Sequence, residues 1–192
     1  MFLAGRNWTE SARAGDRARA VGSTVDAMER PAVSRIDSLM LRVGHLNYSW
    51  TNTESLLIYV MAHLMGTSNE VAIVTFLTLN TTRARLDMVE RLAKMRSTPP
   101  EKRNAVLELT TSMKLESKLR NKYNHCVYSF DKNGEIESTQ LLRIAEFGND
   151  LRYGKVEELD DNEMERLDLT IRNIANLNKS IWRFIRAHDI PT

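Results

Sequence analysis

The sequence predicts an all-α domain, an antiparallel four-helix bundle with a β-hairpin inserted between helices 3 and 4. Three observations predict it. Apolar residues recur at helical spacing over stretches far longer than one helix of average length. The connections between the first three stretches are short, which makes neighbouring helices antiparallel. One β-branched and aromatic segment, Val127-Tyr128-Ser129-Phe130, runs into the turn Asp131-Lys132-Asn133-Gly134, whose Asn-Gly pair tolerates positive φ and suits a tight hairpin.

Residues 1–30 are small and charged without a sustained apolar stripe. They predict a flexible or loosely packed N-terminal segment, with Trp8 and Val21 as local anchors. The bundle domain is expected over 31–192. Its first helix is placed at 33–65, because Leu39, Val43, Leu46, Trp50, Thr53, Leu57, Val60 and Leu64 keep one phase throughout. Pro31 suits its first turn and Gly66 its stop. Asn47 to Thr53 is rich in residues that favour caps and turns and offers a split into two helices, but the unslipped phase of the stripe favours one long helix.

The second helix is placed at 69–96, capped by Ser68, with Val74, Leu77, Thr81, Ala84, Met88, Leu92 and Met95 as its stripe and Pro99-Pro100 beyond its end. A third, at 101–125, starts on Val106, Leu109 and Met113. The hairpin follows at about 126–144, and Glu146 to Glu158 reads as polar and irregular. The last helix, 161–187, has the clearest local signal: Asp160 as cap, Glu163 three residues on, and Leu159 with Met164 as a hydrophobic staple. Its stripe is Met164, Leu167, Ile171, Ile174, Ile181 and Ile185, interrupted by Asn178.

Composition narrows the function classes. With 192 residues and 42% hydrophobic content, one domain can bury a core without disulfide or metal support. Cys126 is the only cysteine, so no disulfide can form within the chain, and the four scattered histidines give no zinc spacing. His45 and His63, for example, are separated by about 27 Å of helical rise. No cofactor is expected, since there is neither a Gly-rich phosphate loop nor a βα alternation. Met1 to Asn7 is too short and too polar for a signal peptide, and no apolar run approaches membrane length, so a cytoplasmic protein without membrane contact is expected.

The 27 basic and 25 acidic residues nearly balance, giving a net charge of +2. Their distribution is uneven: residues 83–125 hold eleven Lys/Arg and five Asp/Glu, whereas 131–165 hold four Lys/Arg and eleven Asp/Glu. Such a chain either steers an anion to its basic surface or lays that surface against an acidic segment, its own or a second subunit's.

Chemistry concentrates at the end of the third helix, in Arg120-Asn121-Lys122-Tyr123-Asn124-His125. Asn121 and His125 are four apart and share a helical face, and Arg120 is one step round. An arginine fork, an amide and an imidazole suit RNA cleavage by transesterification. There the 2′-hydroxyl loses a proton as it attacks phosphorus, the departing 5′-oxygen gains one, and the phosphorane carries extra negative charge. Tyr128, Tyr123, Lys122, Asn80 and Arg83 are candidate substrate-binding residues. Two plainer readings stand beside this one. The histidine can serve the helix C-terminus, and Arg120 can pair with the acidic segment or bind phosphate without chemistry.

The Arg, four residues, His pattern, with a polar residue directly after the arginine, resembles the HEPN superfamily (higher eukaryotes and prokaryotes nucleotide-binding domains). The resemblance covers 33–187. It implies a helical bundle with the motif at the end of the third helix, a homodimer that brings two motifs together, and a metal-independent endoribonuclease of toxin–antitoxin or phage-defence type acting on an RNA substrate. It makes Arg120 and His125 the catalytic pair and Asn121 their assistant, and a neutralising protein partner goes with the toxin setting. The other expectation is a non-catalytic helical protein-interaction or RNA-binding module.

Overall fold

The computed structural model describes residues 34–192, without the side chain of Phe147. The expectations for residues 1–30, and for Pro31 as a helix start, lie outside the described residues. In chain order the elements are α1 (Arg35–Ser55), α2 (Leu57–Met65), α3 (Asn69–Thr78), α4 (Thr82–Ala93), α5 (Pro100–Asn124), β1 (Cys126–Phe130), β2 (Ile136–Leu141), β3 (Ile144–Phe147), β4 (Asp150–Tyr153), β5 (Val156–Glu158) and α6 (Asp161–Ala187). The expected all-α four-helix bundle with one hairpin is therefore overturned: the described residues form six helices and two sheets, in a mixed α and β structure.

Each departure has a local cause. The first predicted helix breaks at Leu56, just past the polar run. There the Thr53 hydroxyl donates to the Ser49 carbonyl at 2.7 Å and the Ser55 hydroxyl to the Asn52 carbonyl at 3.0 Å; such back-bonding competes with the helical ladder and bends it. The second predicted helix breaks at Leu79-Asn80-Thr81. Thr81, expected on the apolar stripe, instead adopts extended backbone and accepts a hydrogen bond from the Ala84 amide as a new N-cap. Val74 and Leu77, also expected inside, are 63% and 62% exposed, because α3 buries only Ala72 and Phe76.

The core is built on α1, α2, α4, α5 and α6. Leu39, Leu46, Trp50, Leu57 and Val60 meet Leu86, Val89, Val106, Met113, Leu167, Ile174 and Ile181, all nearly inaccessible. α1 and α6 lie side by side and run parallel, since Arg42 reaches Asp168 while Asn178 reaches Thr53. The two polar interruptions of the stripes satisfy each other, as the Asn178 amide donates to the Thr53 hydroxyl at 3.2 Å. α5 runs antiparallel to α6, with Lys122 on Glu163 and Glu116 on Asn173. α6 starts where expected, because Asp160 accepts from the Glu163 amide at 2.8 Å. The reciprocal half of the capping box does not form, since the Glu163 carboxylate turns to Lys122, Tyr123 and Arg166. No helix among the described residues is long and apolar enough to cross a membrane.

Between α5 and α6 lies the strand-rich insert. β1 and β2 pair antiparallel from Cys126↔Leu141 to Phe130↔Ile136, with an irregularity at Ser129/Phe130. The predicted turn closes this pair: Asp131 accepts from the Asn133 and Glu135 amides, and Gly134 has φ 79°. The stretch expected to be irregular supplies three strands. β3 and β4 make a separate hairpin, and β5 adds to the far edge of β2, giving the order β1-β2-β5. Gly154 holds these parts close, because a Cβ there would sit 2.0 Å from the Leu141 carbonyl oxygen. Gly154→Ala should therefore force β2 and the β4–β5 connection apart. A loss of about 1–3 kcal/mol is expected from overpacking, seen as a lower melting temperature; melting unchanged from wild type would refute the close approach.

A cleft between a helix end and a strand turn

α5 ends because the chain leaves helical backbone at His125, which has φ −135° and ψ 31° and donates its N–H to the Lys122 carbonyl. From there it enters β1 directly. The His125 carbonyl accepts the Leu142 amide at 2.7 Å, and the Arg143 amide donates to the Leu141 carbonyl at 2.8 Å. The tight turn between β2 and β3 is thereby fastened to the residue that ends the helix. Between helix and turn is an open cleft of about 280 Å³, lined by Lys118, Asn121, Lys122, His125, Leu141, Leu142 and Arg143.

The structure brings Asn121 and His125 together, both exposed in this cleft. Arg120 approaches it from behind. Its guanidinium donates to the Asn121 side-chain oxygen at 3.0 Å and lies 5.8 Å from the centre of the buried Trp50 ring, a cation–π distance. Its Nε is buried and has no hydrogen-bond partner among the described residues. No described carboxylate pairs with Arg120, and the nearly buried Glu54 of α1 is paired with Arg85 at 3.1 Å. Arg120 thus reaches the cleft through Asn121.

Lys122 is spoken for. Its ammonium sits between Glu157 of β5 and Glu163 of α6, with only 14% of the side chain exposed. Here the basic helix meets the acidic segment of its own chain, one of the two uses expected of the charge pattern. Lys122 holds Glu157 below the usual carboxylate range, chiefly through their hydrogen bond. A carboxylate whose folded value is lowered contributes stability that is complete above its unfolded value, near 4.5, and is lost as the pH falls through the folded value. Melting temperature should hold near neutral pH and fall below about pH 4.5, more steeply in wild type than in Lys122→Met. Parallel curves for the two proteins would show that the pair contributes nothing to acid sensitivity.

Neither tyrosine lines the cleft. Tyr123 is buried and donates its hydroxyl to Glu163 at 3.0 Å. Burial, with the Glu163 charge, pushes its pKa well up, so it keeps its proton. Tyr128 packs against the core and donates to the Tyr123 carbonyl at 3.4 Å; burial raises it likewise. Asn80 is exposed in the α3–α4 connection, and Arg83, with its side chain 90% exposed, contacts Asp87 at 3.7 Å. Neither lines the cleft.

Sequence reasoning missed Lys118, Leu141, Leu142 and Arg143. Lys118 was within reach, since 118, 121 and 125 share a helical face at spacings of three and four. Arg143 comes from a distant part of the chain, and only the hairpin register, which sets Leu141 opposite Cys126, places it beside His125. A larger groove of about 420 Å³ elsewhere, bordered by Glu108, Ser112, Arg183 and His188, contains none of the expected residues. Among the described residues, no group of three His, Cys, Asp or Glu could hold a metal ion. No protein-family description, curated protein or solved structure matches the chain.

Proposed function

We propose that the protein is an endoribonuclease that cuts at the cleft beside His125, in a cytoplasmic setting of toxin–antitoxin or phage-defence type. The observation that carries this reading is the joint presence, in one open cleft, of His125, Asn121 and two cations, Lys118 and Arg143, with no described carboxylate bridged to either cation. A phosphodiester bound there has its charge met and an imidazole beside it. His125 takes the 2′-hydroxyl proton or delivers one to the leaving 5′-oxygen. Asn121, held by Arg120, offers its amide N–H groups to a phosphoryl oxygen while Arg120 adds positive charge behind it. Because the nucleophile belongs to the RNA itself, the scheme asks for no metal, and DNA, which lacks the hydroxyl, is not cut. Incubating purified protein with mixed RNA in EDTA, beside His125→Ala, tests the reading. Cutting by the first and not by the second supports it; no cutting by wild type ends it.

The resemblance to the HEPN superfamily rests on Arg120, Asn121 and His125 at the end of a long helix, and it adds a two-fold homodimer in which the ends of α5 approach. Two clefts side by side would supply two histidines, one for each proton transfer. Static light scattering is expected to give twice the 22.0 kDa chain mass. A particle of 22.0 kDa at every concentration and at low salt would end the dimer reading. A neutralising protein partner belongs to the same proposal.

One observation favours a second reading, a non-catalytic protein-interaction or RNA-binding module. Arg120 faces Trp50 and does not itself line the cleft. On that reading Arg120→Ala loosens the packing around Trp50 and changes no cleavage, because there is none.

A further inference from the structure

We infer that the strand-rich insert supplies the substrate-holding wall of the cleft, and that Lys118, Arg143 and Leu142 select an unpaired RNA segment. In this arrangement Lys118 and Arg143 hold phosphates on either side of the cleavage point, and Leu142 carries the face of an adjoining base. The inference rests on the endoribonuclease reading for its substrate and goes beyond it in assigning residues that do no chemistry.

Four observations carry it. Lys118 and Arg143 line the same cleft from different elements, α5 and the β2–β3 turn. Both are exposed, and no described carboxylate bridges either, whereas Lys122 between them in sequence is neutralised by Glu157 and Glu163. The cleft therefore keeps two cations available to an anion, on two walls. Leu142 is 68% exposed at the turn's tip, where an apolar side chain gains nothing from the fold. The turn is also held rigid relative to His125, by the Leu142 amide on the His125 carbonyl and by the close approach of Gly154 to Leu141. A substrate gripped by Arg143 is thus placed against the imidazole by backbone geometry.

The apolar wall decides between single and double strands. A duplex presents phosphates, sugars and base edges, so Leu142 would be covered by polar groups it cannot pair. An unstacked base offers a flat face that an apolar side chain can cover. A cleft of about 280 Å³ also matches one extruded unit better than the side of a duplex.

The test uses full-length protein in a His125→Ala background, which binds without cutting, and a fluorescein-labelled twelve-nucleotide RNA of mixed sequence, alone or annealed to its complement. Anisotropy is read from 50 to 300 mM salt. Lys118→Ala and Arg143→Ala are each expected to weaken binding of the single strand roughly 3- to 10-fold and to flatten the slope of log affinity against log salt by about 0.7. The double variant should flatten it about twice as much. A merely structural defect would lower the bound fraction without changing that slope, and circular dichroism of each variant checks the fold. Arg143→Lys should keep the slope, and Leu142→Ser should reduce the preference for single over double strand. Unchanged affinity and slope in the double variant, or a duplex bound as tightly as the single strand, would overturn the inference. Binding that behaves as described in a protein that never cuts would sink the enzyme reading and leave this one standing. Cutting by wild type, with no effect of Lys118 or Arg143 on binding, would do the reverse. If the parent binds no RNA, this inference falls, and cutting by wild type in EDTA alone decides the enzyme reading.

Discussion

His125→Ala is expected to slow RNA cleavage by about 100- to 10,000-fold, the range lost with a proton-transferring side chain, while the helical fold stays intact. The imidazole is exposed at a helix end, and its backbone, not its ring, makes the bonds that fasten the β2–β3 turn. Truncating it therefore removes chemistry without emptying the core. Stopped or steady-state cleavage of a labelled RNA, with circular dichroism and melting run alongside, separates the two effects. Arg120→Ala should also remove cleavage, through loss of the charge that holds Asn121. It will cost more stability than the histidine change, because the guanidinium also rests on Trp50. A kinetic defect in Arg120→Ala that Arg120→Lys restores would mark charge as the contribution; full cleavage in His125→Ala would remove the imidazole from the mechanism.

Lys122→Ala is expected to be the most damaging change in the neighbourhood, because its ammonium is held by Glu157 and Glu163. It leaves Glu163, whose side chain is 10% exposed, beside a buried tyrosine hydroxyl with only the half-exposed Arg166, at 3.2 Å, as its cation. Removing one member of a buried pair typically costs about 3–5 kcal/mol when the other is left uncompensated, and the remaining contact with Arg166 places the expected loss at the lower end. Glu157 is a third exposed and adds less. For comparison, Ile174→Ala in the centre of the core should cost about 2–5 kcal/mol. The double change Lys122→Met with Glu163→Gln should recover most of the loss, because the buried site then holds no charge, and Arg166 and Glu157, which lose partners, are half and a third exposed. Urea unfolding of the three proteins reads this directly. A single variant within about 0.5 kcal/mol of wild type, the usual range of a surface change, would show that the network is not structural.

Helical patterning made the long elements legible: α5 and α6 lie within a residue or two of their expected ends, and the stripe of Leu39, Leu46, Trp50, Thr53, Leu57 and Val60 is inside. The phase of a stripe does not report a break, however, when the chain resumes in phase after it. That hid the interruption at Leu56. At Thr81 one residue had two readings, half-apolar stripe member or N-cap, and the cap prevailed because it satisfies the Ala84 amide. The strands after β2 escaped notice for another reason. β4 is exposed along its length and β5 has three residues, so neither shows the alternation that marks a strand with one buried face. Of the seven residues that line the cleft, Asn121, Lys122 and His125 were legible in the helical motif. Arg143 was not, because it arrives by strand register from outside the motif.

The end chemistry of the cut RNA tests the central claim most directly. A labelled RNA and its counterpart with a single 2′-deoxy sugar at the cleaved position are incubated with wild type and with His125→Ala in EDTA, and the 3′ ends are identified by mass spectrometry. Wild type is expected to leave 2′,3′-cyclic phosphate ends, to spare the deoxy position, and to lose this activity in His125→Ala. Ends bearing a 3′-hydroxyl, cutting at the deoxy position, or undiminished cutting by His125→Ala would contradict it.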